Sequence, residues 1–351
     1  MKIGIIGCGE VAPAHVQAYQ NLKNVEIVSR CDLDINKAKN LATNFRINKT
    51  YVNYWDMFEK EDLDLIDICT PVSTHAQIVC DVAETAPAIF LEKPMALTVS
   101  DCNKMIKAVE KNGSKLCIGH NQIFSPNIQR AKAMVDSDNF DLHSFSTIEK
   151  ESFEILKAYN LALPWNVIPE QGGLIWEVCG HLAYLQLHFL PDIKEVYAVG
   201  DKIKYPVYDD FTVLLRTSGK HYGMIELSWL SNETEMVYEL RDSTGKRVKI
   251  YWEFDYFLEN SEEPPLTIKK TARNVFVDEK RLLQKWIRFG VCYFRKKKLL
   301  SVVNLISKYV ECIEKDIPPP VSPEDGRNTI SLLECIKKSL DEGRPVQMKS
   351  I

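Results

Sequence analysis

The stretch MKIGIIGCGEVAPAH (1–15) decides the fold. KIGIIG (2–7) is an apolar run of strand length, and HVQAYQNL (15–22) reads as the continuation of a helix. Between them, GCGEVA (7–12) carries the glycine spacing of a dinucleotide-binding turn. Gly7 permits the tight turn. Gly9 lets backbone amides approach a pyrophosphate at the helix N-terminus, Glu10 and Val11 complete the loop, and Ala12 takes the third small position.

The next strand, VEIVSRCD (25–32), ends on Asp32. A carboxylate there is placed to accept hydrogen bonds from both ribose hydroxyls of NAD, and its charge repels the 2′-phosphate of NADP. Arg30, just before it, is the feature that keeps NADP open as the cofactor.

The pattern continues outward with a helix at 35–45, a short helix from 55–58, a strand at 63–70, a helix at 75–85 and a strand at 88–94. A helix at 100–112 follows, with Ser100 as its cap and Gly113 past its end, and then a strand at 115–120. These strands are apolar on both faces, as a parallel sheet covered by helices requires. Strand–helix alternation of this kind predicts a doubly wound α/β Rossmann domain over residues 1–120. After 120 the rhythm changes. Helical patterns follow Pro126 and span 172–189, and the runs IKEVYAVGDKI, DFTVLLRT, HYGMIELSWL, EMVYELRD and KRVKIYWEF are separated by turn residues. That predicts an α+β domain over 121–351 with a large, mainly antiparallel sheet. Helices are expected at 279–315 and 327–342, and the tail 323–351 is expected to pack back on the first domain.

Three further motifs lie at places where such a fold binds ligands. TPVSTHAQIV (70–79) follows a strand at the sheet's carboxyl edge, so Thr70, Pro71 and His75 are candidates for the cofactor site, and Ser73 or Thr74 for the cap of the next helix. FLEKP (90–94) sets Glu92 and Lys93 directly after an apolar strand. Lysine is costly to bury, and its ammonium can stabilise a developing alkoxide. GGLIWEVCGH (172–181) puts Glu177 and His181 one helical turn apart in apolar surroundings. Histidine suits acid/base work near neutrality, and a carboxylate one turn away can orient its ring; a core histidine with satisfied hydrogen bonds is the alternative. With no third ligand nearby in sequence, no metal is expected.

The remaining composition narrows the class. A formal charge of −4 over 351 residues gives no general pull toward nucleic acid. No secretory signal or run of membrane-spanning length is read, and the ten cysteines lack zinc or redox spacing, which points to reduced thiols in a cytoplasmic protein. KRLLQKWIRFGVCYFRKKKLL (280–300) carries eight basic residues and no acidic one, interleaved with aromatics. It reads as a packed helix with a solvated basic face or as a weak membrane-surface contact.

In their order, GCGEVAPAH with His15, CDLD (31–34), TPVSTH, EKP, GHNQIFSP (119–126), GGLIWEVCGH and PPPVSPEDGRNTI…SLDEGRPV (318–346) resemble the Gfo/Idh/MocA family, the glucose-fructose oxidoreductase and inositol dehydrogenase type. The resemblance spans nearly the whole chain. It implies an NAD(P)-dependent oxidoreductase that moves a hydride between nicotinamide and a ring hydroxyl or ketone of a sugar, nucleotide sugar or cyclitol, in a homo-oligomer. It also implies a cis bond before Pro94, Lys93 in the site, and His181 as acid/base. Asn121, Tyr159, Trp165 and Asn166 are candidate substrate contacts. Relatives that act as dinucleotide-binding regulators or as NAD-dependent glycoside hydrolases are the alternatives. Three positions depart from the family pattern: Glu177 and Tyr184 replace aspartates, and Ile123 stands where an arginine is common.

Overall fold

The computed structural model describes residues 1–137, 140–158, 164–252, 256–260 and 300–348. The first sheet contains β1 (Lys2–Ile6), β2 (Glu26–Cys31), β3 (Lys49–Tyr51), β4 (Leu65–Ile68), β5 (Ala88–Leu91) and β6 (Lys115–Ile118), in the order β3-β2-β1-β4-β5-β6. All its pairings are parallel. Strands β4 and β5 are buried at every position, because helices cover both faces. Those helices are α1 (Ala12–Gln20), α2 (Ile35–Phe45), α3 (Tyr54–Lys60), α4 (Val72–Val82) and α5 (Val99–Asn112). Strand order reverses beside β1, which opens a crevice at the carboxyl ends of β1 and β4.

After α6 (Pro126–Val135), β7 (Leu142–Ser152) enters the second sheet and leads into α7 (Phe153–Ala158). Then come α8 (Gly173–Glu177), α9 (Cys179–Phe189), β8 (Ile193–Asp201), β9 (Asp210–Thr217), β10 (Tyr222–Ser228), β11 (Leu230–Asp242), β12 (Arg247–Tyr251) and β13 (Tyr256–Asn260). Helices α10 (Leu300–Glu314) and α11 (Pro323–Glu342) and the short β14 (Val346–Gln347) close the chain. The sheet order is β13-β12-β11-β7-β10-β9-β8-β14. It is antiparallel except where β10 runs parallel to β7.

The last two helices tie the sheets together. Tyr309 on α10 is fully buried and donates its phenolic hydrogen toward the carbonyl of Lys115 (2.6 Å) at the start of β6. Helix α11 packs against α5 and β6 on one side and α9 and β8 on the other. Its Glu334 accepts from the amide of Val99 at 2.9 Å.

Several local expectations are corrected. Helix α5 is capped by Thr98, which accepts from the amide of Asp101, and not by Ser100. Helix α4 starts at Val72 with Pro71 as its N-cap, so neither Ser73 nor Thr74 caps it. The last helix begins at Pro323, because Ser322 and Asp325 form a reciprocal capping box and proline suits the first turn. The helix expected over 172–189 is broken at Val178 into α8 and α9. Strands β3 and β7 were not foreseen. In β7, LHSFSTIEKES, burial alternates along its second half, and the buried positions there include the acids Glu149 and Glu151, so no apolar alternation marks it as a strand. The basic stretch 280–300 lies outside the described residues, save Leu300.

Candidate active site

A cleft of about 730 Å³ lies at the crevice of the first sheet. Gly7, Gly9, Glu10 and Val11 form one wall, Asp32 one end, Thr70 and Pro71 another wall, and Glu92 and Lys93 the floor toward Trp176 and Glu177 of α8. Asn166 and Gln171 also reach it.

Glycine is required at position 7 for two reasons. Its φ is +94°, and a Cβ there would meet the Cys69 carbonyl carbon at 2.6 Å. At Gly9 nothing lies within 4 Å of where a Cβ would sit, so the missing side chain leaves space in the cleft. Asp32 is held by two amides: Oδ2 accepts from Cys8 (2.7 Å) and Oδ1 from Asp34 (2.8 Å). Each carboxylate oxygen keeps a further lone pair for a hydroxyl. Together the open loop, the start of α1 and this fixed carboxylate fit a dinucleotide. Arg30 is engaged within the protein. Its buried guanidinium donates to the carbonyls of Ala38 and Ile47, both at 2.6 Å, and to Thr50.

Beneath the loop, His15 lies between two acids. Its Nδ1 is 2.9 Å from Asp67 and its Nε2 2.9 Å from Glu92. Burial opposes the charge on this ring, but Asp67 outweighs it and holds the imidazolium well above its ordinary range. Glu92 in turn accepts the backbone amide of Lys93 at 3.0 Å. An acid inside LIDI (65–68) was a signal in the sequence: buried carboxylates demand a partner. That partner, His15 on α1, lies 52 residues before it and was not read.

Lys93 precedes a cis peptide bond to Pro94, as the resemblance implies. Its Nζ is 2.9 Å from Glu177 Oε1 and 3.2 Å from the Glu177 carbonyl. Desolvation works against the ammonium, but Glu177 and then Glu92 hold its pKa above the usual lysine range. Thus Glu177 does not orient His181. The break at Val178 turns its carboxylate to Lys93, and His181 Nδ1 instead meets the Tyr184 hydroxyl at 2.8 Å. Burial, then the charges of Lys93 and His120, push the His181 pKa well below its ordinary value.

Two expected residues sit elsewhere. His75 is buried behind the cleft, with Nε2 2.8 Å from the Thr70 carbonyl and Nδ1 3.0 Å from that of Pro94, so it braces two cleft turns without lining the cleft. Asn121 donates to Ser301 (3.0 Å), away from the cleft wall. Tyr159 falls outside the described residues. Trp165 belongs to a 3₁₀ turn over Pro164–Val167, the same turn that carries Asn166. Tyr54, Lys37 and Trp176 line the cleft without having been singled out. Among the described residues, His15, Asp67 and Cys69 cluster closely, but His15 already spends both nitrogens on carboxylates.

Residues 1–120 match the model described as "Oxidoreductase family, NAD-binding Rossmann fold", and 150–251 match the "GFO/IDH/MocA C-terminal domain". The chain belongs to the Gfo/Idh/MocA oxidoreductase family. Within it, the chain is 22% identical over 360 residues to the myo-inositol 2-dehydrogenase of Thermotoga maritima, covering all of this chain and 99% of that one. It is 23% identical to the D-apiose dehydrogenase of Paraburkholderia graminis over 366 residues, covering 100% and 90% of the two. The WlbA dehydrogenase of Bordetella pertussis, solved with NADH and UDP-GlcNAcA, superposes with a TM-score of 0.81 at 18% identity over 100% of this chain and 97% of that one, a likeness of fold. The Gfo/Idh/MocA chain described here is thus an oxidoreductase with an NAD-binding Rossmann fold. None of its helices, among the described residues, is long and apolar enough to cross a membrane.

Proposed function

We propose that this protein is an NAD-dependent dehydrogenase or reductase acting on a ring hydroxyl or ketone of a sugar, nucleotide sugar or cyclitol. The observation that carries the reading is the Lys93 ammonium, paired with Glu177 at 2.9 Å, in the same cleft as the glycine loop and Asp32. Gly7, Gly9, Glu10 and Val11 would cradle the pyrophosphate, Asp32 the ribose, and Thr70, Pro71 and Glu92 the walls beyond. NAD is favoured over NADP because Asp32 repels a 2′-phosphate and Arg30 is fully engaged. When bound, the nicotinamide supplies the two-electron donor or acceptor. Lys93 stabilises negative charge on the reacting oxygen, an interaction that strengthens as the oxygen becomes alkoxide-like. Glu177 holds Lys93 charged, and His181 is the further acid/base candidate.

Residues 1–120 would carry the cofactor and 121–351 the substrate contacts, with Asn166 and Gln171 at the cleft as candidates for a hydroxylated ligand. A cytoplasmic homo-oligomer is the expected setting. The test is the absorbance of reduced nicotinamide with NAD⁺ and NADP⁺ in parallel, over a panel of free sugars, cyclitols and nucleotide sugars. Turnover on one class, lost in Lys93→Ala, establishes the reading. Tight dinucleotide binding with no turnover anywhere would overturn it in favour of a regulator, and sugar release without net cofactor reduction would overturn it in favour of a hydrolase.

A further inference from the structure

The surroundings of Tyr184 dictate which way its phenolic hydrogen points. Its phenolic oxygen accepts the backbone N–H of Gln122 at 3.1 Å and lies 2.8 Å from Nδ1 of His181. A backbone amide can only donate, so at Gln122 the phenol is an acceptor. Among the described residues, its own hydrogen has one acceptor in reach, Nδ1 of His181. Were Nδ1 protonated, a buried hydroxyl would be left with no acceptor, which native interiors rarely tolerate. The phenol cannot easily turn away, because the His120 ring stacks on it at 4.3 Å. Nδ1 therefore accepts, and a neutral ring must carry its hydrogen on Nε2.

We propose that Tyr184 is a positioning residue that holds His181 as the neutral tautomer with its hydrogen on Nε2, so that His181 serves the reaction as a hydrogen-bond donor and the transferable proton resides on Lys93. An aspartate at position 184 would do the opposite: it would accept from Nδ1–H, leave Nε2 free to take a proton, and favour the imidazolium. The groups that face His181 agree with the neutral form. Lys93 after β5 is cationic, His120 after β6 is itself pushed down to about 4 by burial, and Tyr184 is a phenol held well above its ordinary pKa by burial.

The inference deepens the dehydrogenase reading and rests on it for its chemical meaning. An oxygen that meets the Lys93 ammonium and a His181 N–H meets donors, which suit a carbonyl or an alkoxide better than a hydroxyl. In carbonyl reduction the C=O double bond becomes a single bond, and the oxygen takes its proton from Lys93 Nζ. The hydride that forms the new C–H bond would come from a bound reduced nicotinamide, which would leave oxidised, and solvent would return the proton to Lys93.

The test needs no substrate. The full chain is labelled with ¹⁵N-histidine, and two-bond ¹H–¹⁵N correlations of the seven histidines are recorded near neutral pH, with His181 assigned by its loss in His181→Gln. The expected spectrum shows an unprotonated Nδ1 and a protonated Nε2. Tyr184→Phe should release the lock and mix the tautomers, and Tyr184→Asp should move the hydrogen to Nδ1 and raise the pH at which His181 titrates. A wild-type His181 that is charged, or that carries its hydrogen on Nδ1, overturns the proposal whatever the Tyr184 variants show. So does a Tyr184→Phe spectrum identical to wild type. Absence of turnover on every sugar, with the expected spectrum, removes the dehydrogenase reading and leaves the tautomer standing; turnover with the wrong tautomer does the reverse.

Discussion

Nζ of Lys93 lies 2.9 Å from Oε1 of Glu177, and this ion pair joins the turn after β5 to the last residue of α8. The charge of Lys93 is therefore set by a residue that the helix break at Val178 delivers. Lys93→Ala should lower turnover by about 10²–10⁴-fold, the range for loss of a positioned proton donor. NAD affinity should stay within a few-fold. Steady-state kinetics beside a fluorescence titration separates the two. Glu177→Gln should cost less, about tenfold, because its half-exposed carboxylate is partly replaced by water.

The proposed role of Asp32 in cofactor choice is open to direct test. Asp32→Ala should weaken NAD binding by roughly tenfold, since a charge-assisted hydrogen bond is worth about 1.5–3 kcal/mol and part is recovered by water. NADP binding should not rise above that of NAD, because Arg30 is bound to the carbonyls of Ala38 and Ile47. Calorimetric titration with both dinucleotides reads this; a variant that prefers NADP would show that Arg30 can be released.

Two glycines of one loop should behave differently. Gly7→Ala forces a Cβ to 2.6 Å from the Cys69 carbonyl carbon at a φ of +94°, so the chain should lose several kcal/mol, about 2–4, or fail to fold. Gly9→Ala meets nothing, so its urea midpoint should match wild type while dinucleotide affinity drops. Equal midpoints for the two variants would contradict this account of the loop.

His15→Ala leaves Asp67 and Glu92 buried without their shared cation. Breaking such a pair costs about 3–5 kcal/mol. The measurement is chemical denaturation with and without Asp67→Asn, which should return part of the loss by removing one charge. An unchanged midpoint in His15→Ala would sink the idea that this ring holds the floor of the cleft.

His120 sets an acid limit. Its pKa is pushed down to about 4 by burial, so between its unfolded value near 6.5 and about 4 the unfolded chain binds more protons than the folded one. Stability should accordingly fall as pH drops through that window, by about 3 kcal/mol from this group. His120→Gln should flatten the slope between pH 6.5 and 4 in denaturation curves; an equally steep slope would assign it to other groups.

The sequence by itself determined the first sheet and the place of the cleft. Glycine spacing, apolar runs buried on both faces and an acid at the end of β2 are local features, and each has one favourable backbone solution. Lys93 and Asp32 were legible for the same reason: a charge at the end of a buried strand lies at the ligand edge whatever the rest of the chain does. What followed was decided by tertiary structure. Glu177 and His181 were read as neighbours on one helix, yet the helix breaks at Val178, and the carboxylate finds the Lys93 ammonium on another element. Tyr184 could be noticed as a departure, but its role depends on the Gln122 amide and the His120 ring, which the fold brings from beyond β6. Arg30 was the feature that kept NADP open, and the carbonyls of α2 and of the segment before β3 hold its guanidinium. The physical reason is common to all three. A buried charge or donor must find a partner, and spacing along the chain tells that it needs one, whereas only packing tells which one it gets.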